Sequence, residues 1–312
     1  MSEYFAYGAR IVSDQPIPEL DGTRGGDGLP ELRIRFNGPA FEDLDALEWV
    51  ASLEMMGGEP WMRSARTAEG YVVSFPSLAD FSLTDAGREI VCRAATIDRT
   101  GATLRHLVLD QVIPLALKLQ GQETLHATAV IANGGVCAFV GPPGSGKSTV
   151  AAAFLRAGFS TVCDDCLLLS SGESIEAVPA YPGVRLCEDA FAALTGGPGD
   201  VSPVASYSAK KRWRTASLSF SPEPRPLTRI YRLMRGHGVP PQASAIEPLS
   251  PRDALMELVA STFRIDTSDA AMLAREFQHL DRIARGVPVR RLWLSDDLES
   301  TAAMAAVLAD LP

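Results

Sequence analysis

Apolar and polar positions change their spacing along the chain. Up to about residue 100 the apolar residues come in short, partly alternating runs, "FAYGARIV", "ELRIRF", "GYVVSF" and "EIVCRAAT", each bounded by turn residues. Alternation sends every second side chain to one face, so these runs predict strands. A glycine-rich stretch, Leu20 to Pro30, predicts a loop between strands, and "FEDLDALEWVASL" fits a helix or a mixed segment. From Thr103 the spacing turns helical: Leu104, Leu107, Val108, Val112, Leu115 and Leu119 share a face. Pro114 should kink or break that helix, because it lacks an amide hydrogen and its ring meets the carbonyl four residues back. These changes predict a β-rich domain over residues 1–102 and a second domain over 103–312.

The second half alternates strands and helices. "LHATAVIA" and "VCAFV" flank Asn133-Gly134, a strong signal for a two-residue hairpin turn. A helical run, "TVAAAFLRAG", ends at Gly158, and "FSTVCDD" predicts the next strand. "LLLS" and "IEAVPA" read as strands around "SGES", "CEDAFAAL" as a short helix and "LTRIYRLM" as a strand. Two helices follow, "SPRDALMELVAST" and "SDAAMLAREFQHLDRIARG", the first with Ser250 as N-cap and Pro251 at its first position. "VPVRRLWL" predicts a last strand and "LESTAAMAAVLADL" a terminal helix. No internal repeat is visible, and the fold class expected is α/β.

Composition is ordinary for a soluble chain of 312 residues, at 46% hydrophobic and 21% charged. A net charge of −9 argues against a duplex nucleic acid partner and offers nothing to an anionic membrane surface. The cysteines, at 92, 137, 163, 166 and 187, are odd in number and irregular in spacing, so they are not a disulfide framework. "MSEYFAYGAR" has no basic start followed by an apolar run, and no stretch approaches the ~18 apolar residues of a membrane span. A cytoplasmic location with reduced thiols is expected.

Gly141 to Ser148, "GPPGSGKS", satisfies G-x-x-x-x-G-K-[ST] between a predicted strand and a predicted helix. A chance match arises in roughly 1% of chains of this length, before the flanking structure is considered. Gly141 and Gly146 let the backbone turn its amides toward phosphate oxygens, beside a helix N-terminus that favours anions. Gly144, Ser145 and Thr149 complete the expected nucleotide contacts; Lys147 would reach the β- and γ-phosphates and the Ser148 hydroxyl a Mg²⁺ ion.

"VCDDC" (Val162 to Cys166) admits two readings, a thiol pair or a carboxylate pair. Strand, helix and strand in succession make the strands parallel, which brings Asp164 and Asp165 to the edge that carries the phosphate loop. On an extended strand residues i and i+3 face opposite ways, so Cys163 and Cys166 diverge and are read as small buried hydrophobes. By the same alternation the aspartates point apart, one toward the metal and the other toward the proton of an attacking hydroxyl. The hairpin register places His126 opposite Gly141, where it either contacts phosphate or is a structural histidine.

The stretch "LHATAVIANGGVCAFVGPPGSGKSTVAAAFLRAGFSTVCDDCLLL" resembles the core of the HPr kinase-like family, which has a His-bearing strand, a hairpin, a phosphate loop and a strand ending in two aspartates. "FAYGARIVSDQPIPEL" and "LRHLVLDQVIPLALKLQGQETLHATAV" resemble the branch found with lasso-peptide and related ribosomal-peptide clusters, whose members phosphorylate a serine of the precursor peptide. The resemblance implies a P-loop fold of the HPr kinase/PEP carboxykinase-like kind behind a smaller β-rich domain, with ATP and Mg²⁺ as cofactors. It also implies that His126, Lys147, Ser148, Asp164 and Asp165 are active-site residues, with Asp165 as base, Asp164 and Ser148 on the metal, and a precursor peptide as acceptor. Thr149 departs from the glutamate of HPr kinase proper, and no downstream signature loop matches, so the resemblance reaches the kinase half of that chemistry and not the reverse reaction.

Lys210, Lys211, Arg212 and Arg214 form a basic run after a Gly/Pro/Ser-rich stretch. They are either a solvated loop or a loop that closes on phosphates, with Lys211 and Arg212 as contacts. Arg185 and Glu188 could line the same edge. His106, His237 and His279, and the four tryptophans, read as structural. Two further functions stay open on sequence grounds, a small-metabolite kinase and a regulatory ATPase that transfers to no acceptor; self-assembly is likewise left open.

Overall fold

The computed structural model describes residues 1–25, 28–38, 44–54, 58–94, 101–170, 172, 174–195, 201–213, 220–235, 246–294 and 300–311. They form two compact units. The first holds Met1–Glu123, Ala205–Tyr207 and Phe263–Glu276, and the second the remainder. Both contain extended sheets and helices, a mixed α/β composition. Among the described residues no helix is long and apolar enough to cross a membrane.

The first unit is built on eight strands: β1 (Ser2–Ala6), β2 (Ala9–Ser13), β3 (Glu31–Arg35), β4 (Trp49–Glu54), β5 (Pro60–Arg66), β6 (Gly70–Phe75), β7 (Ala79–Thr84) and β8 (Glu89–Ala94). Their order in the sheet is β1-β2-β3-β8-β7-β6-β5-β4. "FAYGARIV" is therefore two strands and not one. Tyr7 and Gly8 turn the chain with φ of 54° and 64°. Tyrosine is unusual in the left-handed region. Here its ring is fully buried and its hydroxyl donates to the Leu109 carbonyl at 2.8 Å. The end of "FEDLDALEWVASL" is strand β4; residues 39–43 lie outside the described ones, as do Gly26 and Asp27 of the glycine-rich loop.

The helical pattern after residue 102 yields α1 (Ala102–Leu107), a π-helical turn over Val108–Val112, and α2 (Ile113–Leu119). The wide turn is the physical answer to Pro114, which cannot donate to the carbonyl one α-turn back. Val108, Leu109, Val112, Ile113, Ala116 and Leu117 are fully buried. At Gly87 (φ +85°) a Cβ would stand 2.3 Å from the Ala116 carbonyl oxygen, so only glycine lets the turn before β8 meet α2.

The stretch Phe263–Glu276 is tied to β5 and β6 by Asp266, whose side chain is buried. Arg66 Nε and the Tyr71 hydroxyl donate to one carboxylate oxygen at 2.5 and 2.9 Å, and the Ser268 amide and hydroxyl donate to the other at 2.7 Å each. Burial alone would raise this carboxyl's pKa; the donors, Ser268 foremost, outweigh it and bring it to about 2. A carboxyl with a depressed folded-state pKa stabilises above its unfolded value of ~3.9 and loses that contribution as pH falls through the folded one. Asp266→Asn is expected to cost about 2 kcal/mol at neutral pH, and denaturant midpoints of variant and parent should converge as pH drops from ~4 to ~2. A constant gap over that window would refute the assignment.

In the second unit, β9 (Glu123–Leu125, which begins one residue before the unit), β10 (Ala127–Ala132), β11 (Gly135–Val140), α3 (Lys147–Arg156), β12 (Ser160–Cys163), β13 (Leu167–Leu169) and β14 (Glu176–Val178) are followed by β15 (Val184–Leu186), α4 (Glu188–Thr195), β16 (Val201–Pro203) and β17 (Lys211–Trp213). Then come β18 (Arg225–Arg235), β19 (Ile246–Pro248), α5 (Pro251–Val259), α6 (Ala270–Gly286, crossing from the first unit), β20 (Val289–Leu294) and α7 (Ser300–Asp310). The main sheet runs β12-β10-β11-β18-β14-β13-β9, with β20 also on β18 and β19 on β20. Ser250 caps α5 as expected, its hydroxyl accepting from the Asp253 amide at 3.2 Å.

The β10–β11 hairpin turns through Asn133 and Gly134 at φ 49° and 80°, with Ala127 opposite Val140. β12 runs in the same direction as β11, as the strand–helix–strand succession requires. It does not pair with β11, because β10 lies between them, antiparallel to both. Phe139 of β11 packs on Phe154 of α3 and on Tyr231 of β18, with ring centroids 6.0 and 5.8 Å away. This apolar floor holds the strand ends that carry the site.

Candidate phosphate-binding site

The Gly141–Ser148 loop joins β11 to α3. Gly141, Gly144 and Gly146 have φ of 154°, 82° and 102°, a backbone that residues with a Cβ rarely take. A Cβ on Gly141 would also lie 2.7 Å from Ser145 Oγ. Gly146 is the N-cap of α3 and offers no side chain to its amides. The helix start thus keeps unsatisfied donors and a partial positive charge. Ser145 Oγ is buried without a hydrogen-bond partner; a buried hydroxyl of this kind is costly unless a ligand completes it. Lys147 is buried and donates to the carbonyls of Gly141 and Pro142 at 2.8 and 3.3 Å. Burial, joined by Lys210 and Arg185, lowers its pKa against the pull of Asp165 and Asp164.

Asp164 stands at the centre. Its Oδ1 accepts from Ser148 Oγ at 2.9 Å and from Thr128 Oγ1 at 2.7 Å; Oδ2 accepts from the Arg185 amide at 2.8 Å and Arg185 Nε at 3.2 Å. Thr128 comes from β10, the strand interposed between β11 and β12. Four donors fill the carboxylate. Arg185 Nη2 also donates to the Asp164 carbonyl at 2.7 Å and pairs with Asp165 Oδ2 at 2.8 Å.

Alternation along an extended strand predicts that the two aspartates diverge, and the structure corrects this. β12 ends at Cys163, and Asp165 has φ +72°, so the strand rule stops before the carboxylates. Both turn onto Arg185. They still differ in neighbours, since Asp165 Oδ1 faces His126 Nε2 at 3.8 Å. Burial opposes the charge on Asp165, but Arg185, His126, Lys210 and Lys147 together hold its pKa far below the usual carboxylate range. Burial lowers the His126 pKa despite Asp165. His126 follows the last hairpin pair in register, and its amide leaves the ladder to donate to the Ser261 carbonyl at 2.6 Å.

The other expected residues are placed as follows. Lys211 lies on the surface and pairs with Glu188 at 2.9 Å. Arg212 is buried, 5.3 Å over the Tyr181 ring and beside Arg185 in the β15–β17 ladder. Lys210 is the member of the basic run that acts on Asp165 and Lys147; Arg214 lies outside the described residues. Cys163 and Cys166 are buried, and no disulfide joins the thiols. Thr149 is on the first turn of α3. Sequence reasoning missed Thr128, whose place depends on a strand order that spacing does not encode.

Among the described residues no three His, Cys, Asp or Glu side chains gather to hold a metal alone. The Ser148 hydroxyl with the Asp164 carboxylate behind it suits a hard cation that keeps waters and phosphate oxygens as its other ligands. The site therefore fits Mg²⁺ delivered with a polyphosphate.

No protein-family model and no curated protein matches the chain. Among solved structures it is similar to the Hpr(Ser) kinase/phosphatase from Coxiella burnetii, with 11% sequence identity and a TM-score of 0.32, over 60% of this chain and 93% of that one.

Proposed function

We propose that the chain is an ATP-dependent phosphotransferase that moves the γ-phosphate to a hydroxyl, and that the acceptor is a serine of a ribosomal precursor peptide. The observation that carries the transferase reading is the convergence of Lys147, Ser148, Asp164 and Asp165 at one strand edge, with Ser148 and Asp164 hydrogen-bonded at 2.9 Å. The acceptor class follows from the sequence resemblance of residues 4–20 and 100–190.

Bound MgATP would supply the transferable phosphoryl group and a cation to neutralise its charge. Lys147, which donates to two loop carbonyls, would turn to phosphate oxygens. Ser148 would hold the cation through its oxygen while still donating to Asp164. Asp165 orients the acceptor hydroxyl. Its depressed pKa makes it a weak base, so the proton reaches it only as attack makes the hydroxyl acidic; phosphoryl transfer through a loose transition state asks for little more. Arg185 fixes both carboxylates.

The test is incubation with Mg²⁺, ATP and a serine-containing precursor peptide, followed by peptide mass, with free sugars and amino acids as rival acceptors. Lys147→Ala is expected to lower transfer by about 10³-fold, while Cys163→Ala and Cys166→Ser leave it within about twofold. Transfer that survives in Lys147→Ala, or is lost with Cys166→Ser, rules out the assignment. Preference for a free metabolite rules out the peptide acceptor.

A further inference from the structure

Two arginines of β18 border the loop, and their circumstances differ. β18 lies parallel to β11, with Arg232 opposite Val140, so β18 runs three residues past the point where β11 gives way to the loop. Arg232 is neutralised: its Nε donates to Glu257 on α5 at 2.6 Å, and its Nη1 to the Leu233 carbonyl at 2.8 Å. Arg235, at the end of the strand, is exposed. Its Nη2 lies 3.4 Å from where a Cβ on Gly146 would stand, against the first residues of α3. Among the described residues no carboxylate pairs with it.

Beside that guanidinium the chain presents an anion-binding backbone. The N-terminus of a helix carries partial positive charge and attracts an anion. Lys147, the first residue of α3, adds a full positive charge there. The fold carries the guanidinium to this spot on a strand that is paired along its length. The buried, unpartnered hydroxyl of Ser145 in the same loop is an independent sign that a hydrogen-bonding ligand completes the site.

We infer that Arg235 is a phosphate-contacting residue of the loop, donating to the polyphosphate of the bound nucleotide beside Lys147. The inference rests on the nucleotide reading above. A guanidinium against the loop, the helix start and the Lys147 ammonium are donors that one polyphosphate can join, and a charge-assisted contact of this kind is worth about tenfold or more in affinity. Calorimetric titration with ATP, inorganic tripolyphosphate and AMP separates the two ideas. Parent protein that binds neither ATP nor tripolyphosphate overturns the nucleotide reading itself. If parent binds both, Arg235→Gln is expected to weaken both by about tenfold and to leave AMP unchanged, with the same thermal midpoint because the side chain is exposed. Arg235→Lys, which keeps the charge without the fork, should recover part of the loss. Tripolyphosphate affinity unchanged in Arg235→Gln overturns the inference and leaves the nucleotide reading standing. So does a loss that falls equally on AMP, or one that Arg235→Lys does nothing to restore.

Discussion

Asp165→Asn is expected to reduce phosphoryl transfer by about 10³-fold while ATP still binds. The substitution keeps the shape and removes the charge. Arg185 then faces one ionised carboxylate in place of two, and the acceptor hydroxyl loses the group that orients it and takes its proton. Asp164, which holds Ser148 and Thr128, is untouched, so the cation and phosphate contacts persist. Peptide mass reports transfer, and equilibrium titration with ATP reports binding. Transfer at parental rate excludes Asp165 from the chemistry; ATP binding lost along with transfer moves it to the nucleotide contacts. Asp164→Asn should fail differently. Its amide group cannot accept four hydrogen bonds, and the dependence of nucleotide binding on Mg²⁺ should weaken.

Arg185→Leu is expected to destabilise the second unit by about 3–5 kcal/mol, the cost of leaving buried charge uncompensated. The guanidinium is 3% exposed and meets both carboxylates. Without it Asp164 and Asp165 are like charges side by side, the first buried and the second only partly exposed. Arg185→Lys should recover little, because an ammonium cannot reach Asp164 and Asp165 through separate nitrogens as the guanidinium does. Denaturant unfolding measures the loss. Adding Asp165→Asn to Arg185→Leu should return part of it, since the second mutation removes one of the stranded charges; strict additivity of the two costs would show that they are uncoupled.

How far the sequence could be read depended on how local each determinant was. The phosphate loop was legible because one contiguous motif dictates its own backbone: Gly141, Gly144 and Gly146 are glycines at positive φ. His126 could be placed because the Asn133-Gly134 turn fixes the hairpin register. The direction of the aspartates could not. Period-two alternation was carried past Cys163, where the strand ends, and Asp165 in the left-handed region breaks it. Arg185 was visible as a residue of the same edge, but its grip on both carboxylates comes from a separate three-stranded sheet. Strand β4 was obscured for another reason. It is an edge strand with no buried residue, so no alternating stripe marks it. The helix over 102–119 showed its break at Pro114, but not that a π-turn would absorb it.

β18 joins three ladders. It pairs with β11 on one side, and on the other with β14 at its start and β20 at its end. Ile230 and Tyr231 within it are fully buried. A strand held on both edges can exchange its amide hydrogens only when most of the unit opens, so its local stability approaches the global value. The basic residues near the phosphate loop thus stand on supports of unequal firmness. Lys210 is exposed and lies just outside any strand, where local opening costs little, whereas Lys211 begins β17, which β15 and β16 hold on both edges. Past Arg232 the strand is held by β20 alone, so the end that carries Arg235 should open before Ile230 and Tyr231 do, and after Lys210.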